Sequence, residues 1–124
     1  MTELTGVGVS PGKTVGRVVR MPDPVGEPPE STVPEEARAE AAARIAPAAA
    51  EVKADLEARA ERASGEGKAL LEATAMMAAD PTLVTAAEGK VTGGGLTPER
   101  AVWVAADEVA AMLAGLGGYM AERA

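Results

Sequence analysis

The sequence predicts a mainly α fold: helical hairpins forming an incomplete helical bundle, preceded by a short N-terminal β-arm. Three observations carry this. Apolar residues make up 47% of the 124, yet aromatics are only 2% and Phe is absent, so much of the apolar content is alanine. Alanine suits close-packed helices, whereas a β-sandwich draws on β-branched and aromatic faces. From residue 32 onward apolar residues recur at spacings of three and four, the helical period. Asp80-Pro81 and Thr97-Pro98 each set a capping side chain before a proline, the signature of a helix start.

The elements follow in order. Residues 1–21 read as the β-arm: Val15, Val18 and Val19 suggest a strand, and Ser10-Pro11-Gly12 a turn between two short strands within Leu4 to Met21. Residues 22–31 hold Pro22, Pro24, Pro28 and Pro29 among acids, the composition of an extended linker. Residues 32–124 are the helical part. Thr32-Val33-Pro34-Glu35 reads as a capping box opening one long helix to about Ala63, with Ala41, Ile45, Ala48, Val52, Leu56 and Ala60 on its apolar side and Pro47 kinking it. A second helix covers roughly 66–79, a third Pro81 to about Val91, and a fourth Pro98 to about Leu116 with a stripe of Val102, Ala105, Ala106, Val109, Leu113 and Leu116. Tyr119 to Ala124 looks like the first turn of a further helix.

Composition excludes several function classes. The net charge of −7 argues against nucleic-acid binding, which calls for a basic patch. Neither Cys nor His is present, which removes disulfides, thiol nucleophiles, Cys/His zinc sites, a Ser-His-Asp triad and any phosphohistidine in these residues. The N-terminus lacks the basic and apolar regions of a secretory signal, and no stretch of about 18 apolar residues is free of charge. A soluble cytoplasmic protein, away from membranes, is the expectation. Gly8-Val9-Ser10-Pro11-Gly12-Lys13-Thr14 invites a phosphate-loop reading, but the required first glycine falls on Val7 and Pro11 lacks an amide donor. The acids of the long helix alternate with Arg38, Arg59 and Arg62, which reads as a solvated, ion-paired face rather than a metal site.

The second helix offers more. With Leu70, Leu71, Thr74, Ala75, Met77 and Ala78 assigned to the core, Lys68, Glu72, Met76 and Ala79 are left on another face. A methionine beside charges is either a protein-docking patch or packing beneath the Asp80-Pro81 turn. Trp103, off the apolar stripe, is either an interface anchor or a lid on the core.

Three segments carry a family resemblance. The glycine-rich stretch at residues 6–16 resembles the opening of Enzyme I of the bacterial phosphoenolpyruvate:sugar phosphotransferase system. Residues 67–83, with Glu72, Met76, Met77, Asp80, Pro81 and Leu83, are similar to that family's IFEAHxMLLxDPxL segment. Tyr119 to Ala124 resembles its YLxERAxD segment. The likeness implies the phosphocarrier-docking part of a phosphoenolpyruvate-protein phosphotransferase, which binds the histidine-containing phosphocarrier protein HPr in bacterial sugar uptake. It places docking contacts at Glu66, Leu70, Glu72, Met76, Met77 and Leu83, and further ones at Leu113, Met120 and Arg123.

The family's phosphorylated His lies beyond Ala124, so the chain is expected to be an N-terminal piece, inactive alone. It needs no cofactor itself, and Mg²⁺ belongs to the parent's phosphoenolpyruvate-binding domain. Thr74 stands where the family motif has His, and Trp103 where a His can occur. A groove left open beside the fourth helix is expected to drive a two-fold homodimer. The competing expectation is a free-standing helical adaptor for some other protein.

Overall fold

The structure, a computed structural model, describes residues 2–121 and Ala124. Among the described residues, a 3-10 turn at Glu35–Ala37 is followed by six helices: α1 (Arg38–Ala42), α2 (Ile45–Glu61), α3 (Gly65–Ala78), α4 (Pro81–Thr92), α5 (Pro98–Leu116) and α6 (Gly118–Ala121). Two hairpins organise them. The three residues after α2 fold α3 back against it, and the short Gly-rich loop after α4 does the same for α5. Helix α1 lies on α4, a smaller contact joins α2 to α4, and α6 turns back on α5.

The cap chemistry sets the helix starts. Asp80 Oδ1 accepts a hydrogen bond from the Thr82 amide at 2.7 Å, and Pro81 follows at the first helical position, where its missing N–H costs nothing. Thr97 Oγ1 accepts from the Arg100 amide at 3.3 Å, again with proline next. Gly117, with φ of +71°, ends α5 in a conformation that a side chain would strain.

The core lies where α1, α4 and α5 meet. Ala42, Ile45, Ala87, Val91, Ala101 and Ala105 are buried together, with Leu83, Val84 and Leu96 packed at the edge. Of these only Val91 is a fully buried side chain larger than alanine. Small side chains bring the helix axes close, and each contributes little apolar area. The α2–α3 hairpin joins this cluster through Ile45, the first residue of α2, and buries Ala60 of α2 and Ala75 of α3. Lys90 Nζ donates to Glu108 Oε1 at 2.8 Å and ties α4 to α5 at the surface.

Several expectations need correction. The β-arm over residues 4–21 is not formed: among the described residues no strand occurs, and Leu4, Val7, Val9, Val15, Val18 and Val19 are exposed. A strand needs a ladder partner, and two short strands alone are marginal in water. The helices of this unit supply no free edge. The bend at Ser10–Gly12 survives, with Gly12 at φ of +101°.

The single long helix is interrupted at Ala43 and Arg44. Pro47 cannot donate to the Ala43 carbonyl, so the chain restarts and Pro47 becomes the third residue of α2, a position whose amide needs no intrahelical acceptor. Thr32 does not cap a helix. It pairs with Leu96 in an isolated antiparallel bridge, and the adjacent Val33 amide donates to the Gly95 carbonyl at 2.7 Å. The buried stripe of α5 runs through Ala101, Ala105 and Leu113, whereas Val102 and Leu116 are exposed. Arg38 joins no ion-paired face among the described residues: its Nε donates to the Val33 carbonyl at 3.2 Å and its guanidinium lies against Gly95.

Candidate functional site

The gap between the two hairpins is an open apolar groove of about 830 Å³. Helix α3 provides one wall with Ala73, Thr74, Met76 and Met77. The turn Asp80-Pro81-Thr82 and Leu83 of α4 close one end. Helix α5 provides the other wall with Ala106, Val109, Ala110, Met112 and Leu113, and Met120 of α6 leans in. Lys53 and Asp80 are the charged residues of the lining, and Asp80 is already occupied as the α4 cap.

The groove exists because the packing is uneven. Helix α5 carries apolar residues over a wider arc than α4 alone can cover. Ala101 and Ala105 face the core, while Val109, Met112 and Leu113 lie farther along, where the lining of the other wall comes from α3. Four of the six methionines, Met76, Met77, Met112 and Met120, line this one feature, and all four are exposed. Unbranched thioether side chains adjust to the shape of whatever docks.

Five of the nine residues singled out from the sequence meet in the groove: Met76, Met77, Leu83, Leu113 and Met120. Met76 is 71% exposed, whereas Leu113 is 9% exposed and forms the floor. Leu113 therefore supports the wall rather than offering a large free surface. Glu72 lies one helical turn before Met76, exposed, with its carboxylate 3.9 Å from Lys68. Leu70 is exposed on the line of Thr74 and Met77, beyond the end of the groove. Its expected burial does not occur, and its carbonyl accepts from Thr74 Oγ1 at 2.8 Å. Thr74, also expected in the core, is exposed and lines the groove.

Glu66 is exposed in the first turn of α3, seven residues before Ala73 and hence on the same side, about 15 Å along the axis from Met76. Glu66 and Glu72 are thus both exposed on α3 before Met76, with Glu72 paired to Lys68. Arg123 lies outside the described residues. Trp103 is exposed and does not belong to the lining.

Sequence reading missed Met112, Ala110 and Lys53. The available signal was the width of the α5 apolar arc, since Met112 next to Leu113 exceeds what one partner helix can bury. For Lys53 no signal exists, because its place depends on how α2 crosses α3.

The groove is lined mainly by apolar side chains. The lining has no nucleophile flanked by a base, and the chain has no His or Cys. Among the described residues no three acids, His or Cys converge so as to hold a metal ion. Among them too, no helix is long and apolar enough to cross a membrane.

Comparison with known proteins adds the family. The profile described as PEP-utilising enzyme, N-terminal, matches residues 5–123, nearly the whole chain. A phosphoenolpyruvate-protein phosphotransferase of Streptomyces coelicolor is 46% identical over 122 residues, which is 98% of this chain and 22% of that protein. The chain thus spans about a fifth of the length of this curated relative. No solved structure matches.

Proposed function

The chain belongs to the PEP-utilising enzymes, as their N-terminal part, and from that premise we propose that its helical unit docks the histidine-containing phosphocarrier HPr in a phosphoenolpyruvate-protein phosphotransferase of the Enzyme I type. The whole enzyme moves a phosphoryl group from phosphoenolpyruvate to one of its own histidines, with Mg²⁺ held in its phosphoenolpyruvate-binding domain, and then to the carrier, in the cytoplasmic stage of sugar uptake. Residues 1–124, with no His among them, contribute recognition of the carrier and no phosphoryl acceptor.

The observation that carries this reading is the convergence of Met76, Met77, Leu83, Leu113 and Met120, chosen by family likeness, on one open apolar groove. The carrier's apolar patch beside its active His would sit against Met76, Met77 and Leu83. Its basic rim would face Glu72 and Glu66. Acidic steering of that kind raises the encounter rate more than the affinity, which suits a carrier that has to leave after each transfer. A volume of 830 Å³ would also admit a small molecule. Such a ligand, however, needs several convergent polar groups, and the charged groups of the lining are Lys53 and the capping Asp80. Residues 4–21, unpaired in this unit, would find their strand partners in the sheet of the family's phosphohistidine domain.

The test is a calorimetric titration of the chain with HPr. A saturable one-to-one complex is the expected result, and no heat of binding at high carrier concentration contradicts the reading. The same groove supports self-association, in which a second copy covers the exposed methionines when no carrier is present.

A further inference from the structure

Part of the proline-rich linker is bonded to the helical unit. Arg100, in the first turn of α5, has a side chain only 13% exposed. It is covered by the linker itself. Its Nη1 donates to the Glu27 carboxylate and, at 3.2 Å, to the Pro28 carbonyl, and its Nη2 donates to Glu30 at 3.2 Å. One planar guanidinium thus holds three groups within four consecutive residues, a geometry that the point charge of lysine cannot copy. Just downstream, the Val33 amide donates to the Gly95 carbonyl at 2.7 Å, Thr32 bridges Leu96, and Arg38 bonds the Val33 carbonyl while lying against Gly95. Among the described residues, no hydrogen bond or ion pair joins residues 2–26 to the helical unit.

We propose that Arg100 is a latch that makes residues 27–33 part of the helical body and confines the chain's pivot to residues 22–26. The consequence is a shorter tether. Ten extended proline-rich residues reach about 30 Å and five about 15 Å. The N-terminal segment therefore swings about the helical unit through half the distance that the composition of residues 22–31 suggests. The latch rests on charge, so it loosens as salt rises. It lies outside the groove and is independent of the docking reading.

Amide hydrogen exchange of the full chain tests it, read at Ser31 and Val33. The expected result in Arg100→Gln is exchange at both amides about fivefold to tenfold faster than in the wild type, with the α4 and α5 amides unchanged. The double variant Glu27→Gln/Glu30→Gln, altered only in exposed linker side chains, gives the same loosening without touching a helix. Arg100→Lys falls between, and about 0.5 M salt moves the wild type toward the variants. Unchanged exchange at Ser31 and Val33 in the linker variant overturns the latch, even if Arg100→Gln destabilises α5.

Discussion

Met76→Ala separates docking from folding. Met76 is 71% exposed in the free chain, so truncating it removes few internal contacts, and α3 accepts alanine readily. If the carrier covers this side chain, roughly seven-tenths of its burial is gained only in the complex. Full burial of a methionine is worth about 1.5–3 kcal/mol, which leaves about 1–2 kcal/mol, or a roughly fivefold to thirtyfold rise in Kd. The loss should appear in the dissociation rate, because short-range apolar contacts form after encounter. Leu113→Ala is the counterpart. At 9% exposure it forms the groove floor, and its truncation should cost about 2–5 kcal/mol of folding stability. Calorimetry for Kd, stopped-flow for the rates and thermal melts for stability distinguish the two. Wild-type affinity in a fully folded Met76→Ala chain would refute the reasoning, because the most exposed methionine of the groove would then touch nothing.

Glu72→Lys should lower the carrier's association rate by a few-fold at low salt and leave dissociation nearly unchanged. The difference should fade at high salt, since a rim charge contributes about 1 kcal/mol or less; equal rates at low salt place the carrier elsewhere. Asp80→Ala removes the α4 cap and should cost about 1 kcal/mol, lowering Tm by roughly 3–6 °C. An unchanged Tm means that Pro81 alone sets the start of α4. Self-association through the groove should appear in light scattering as a mass rising with concentration. It should rise further with salt, because two copies of charge −7 repel, and reverse on adding carrier. A 12.5 kDa monomer under all these conditions removes the second-copy reading.

Local chemistry made the helix starts legible. Asp80-Pro81 and Thr97-Pro98 act within three residues, and α4 and α5 begin where those pairs place them. The α5 end at Leu116 follows as directly from Gly117-Gly118. What depends on distant partners was not legible. Val15, Val18 and Val19 have strand propensity, but propensity without a ladder leaves extended chain. Thr32 has the spacing of a capping box, yet pairing with Leu96 and the Val33 contact to Gly95 claim this stretch for the α4–α5 loop.

The break at Ala43 was written in Pro47 four residues later, but its form, a restart rather than a kink, depends on how α1 lies against α4. The phase of α3 was half legible. Leu71 and Ala75 do turn inward, while Leu70, Thr74, Met77 and Ala78 face outward or into the groove because no helix covers them there. Met76 and Glu72 were legible as an exposed pair from α3 alone. Their relation to Leu113 and Met120, more than thirty residues later, needed the family likeness and then the fold.

The most direct measurement of the central claim uses the methionine methyl groups as reporters. Of the six methionines, Met76, Met77, Met112 and Met120 line the groove, and Met21 lies in the exposed N-terminal segment. A ¹³C-methyl-methionine NMR titration with HPr should shift or broaden the four groove signals together, with a common saturation point, and leave Met21 unmoved. Saturable binding that leaves the four unchanged, or that moves Met21 instead, contradicts the account.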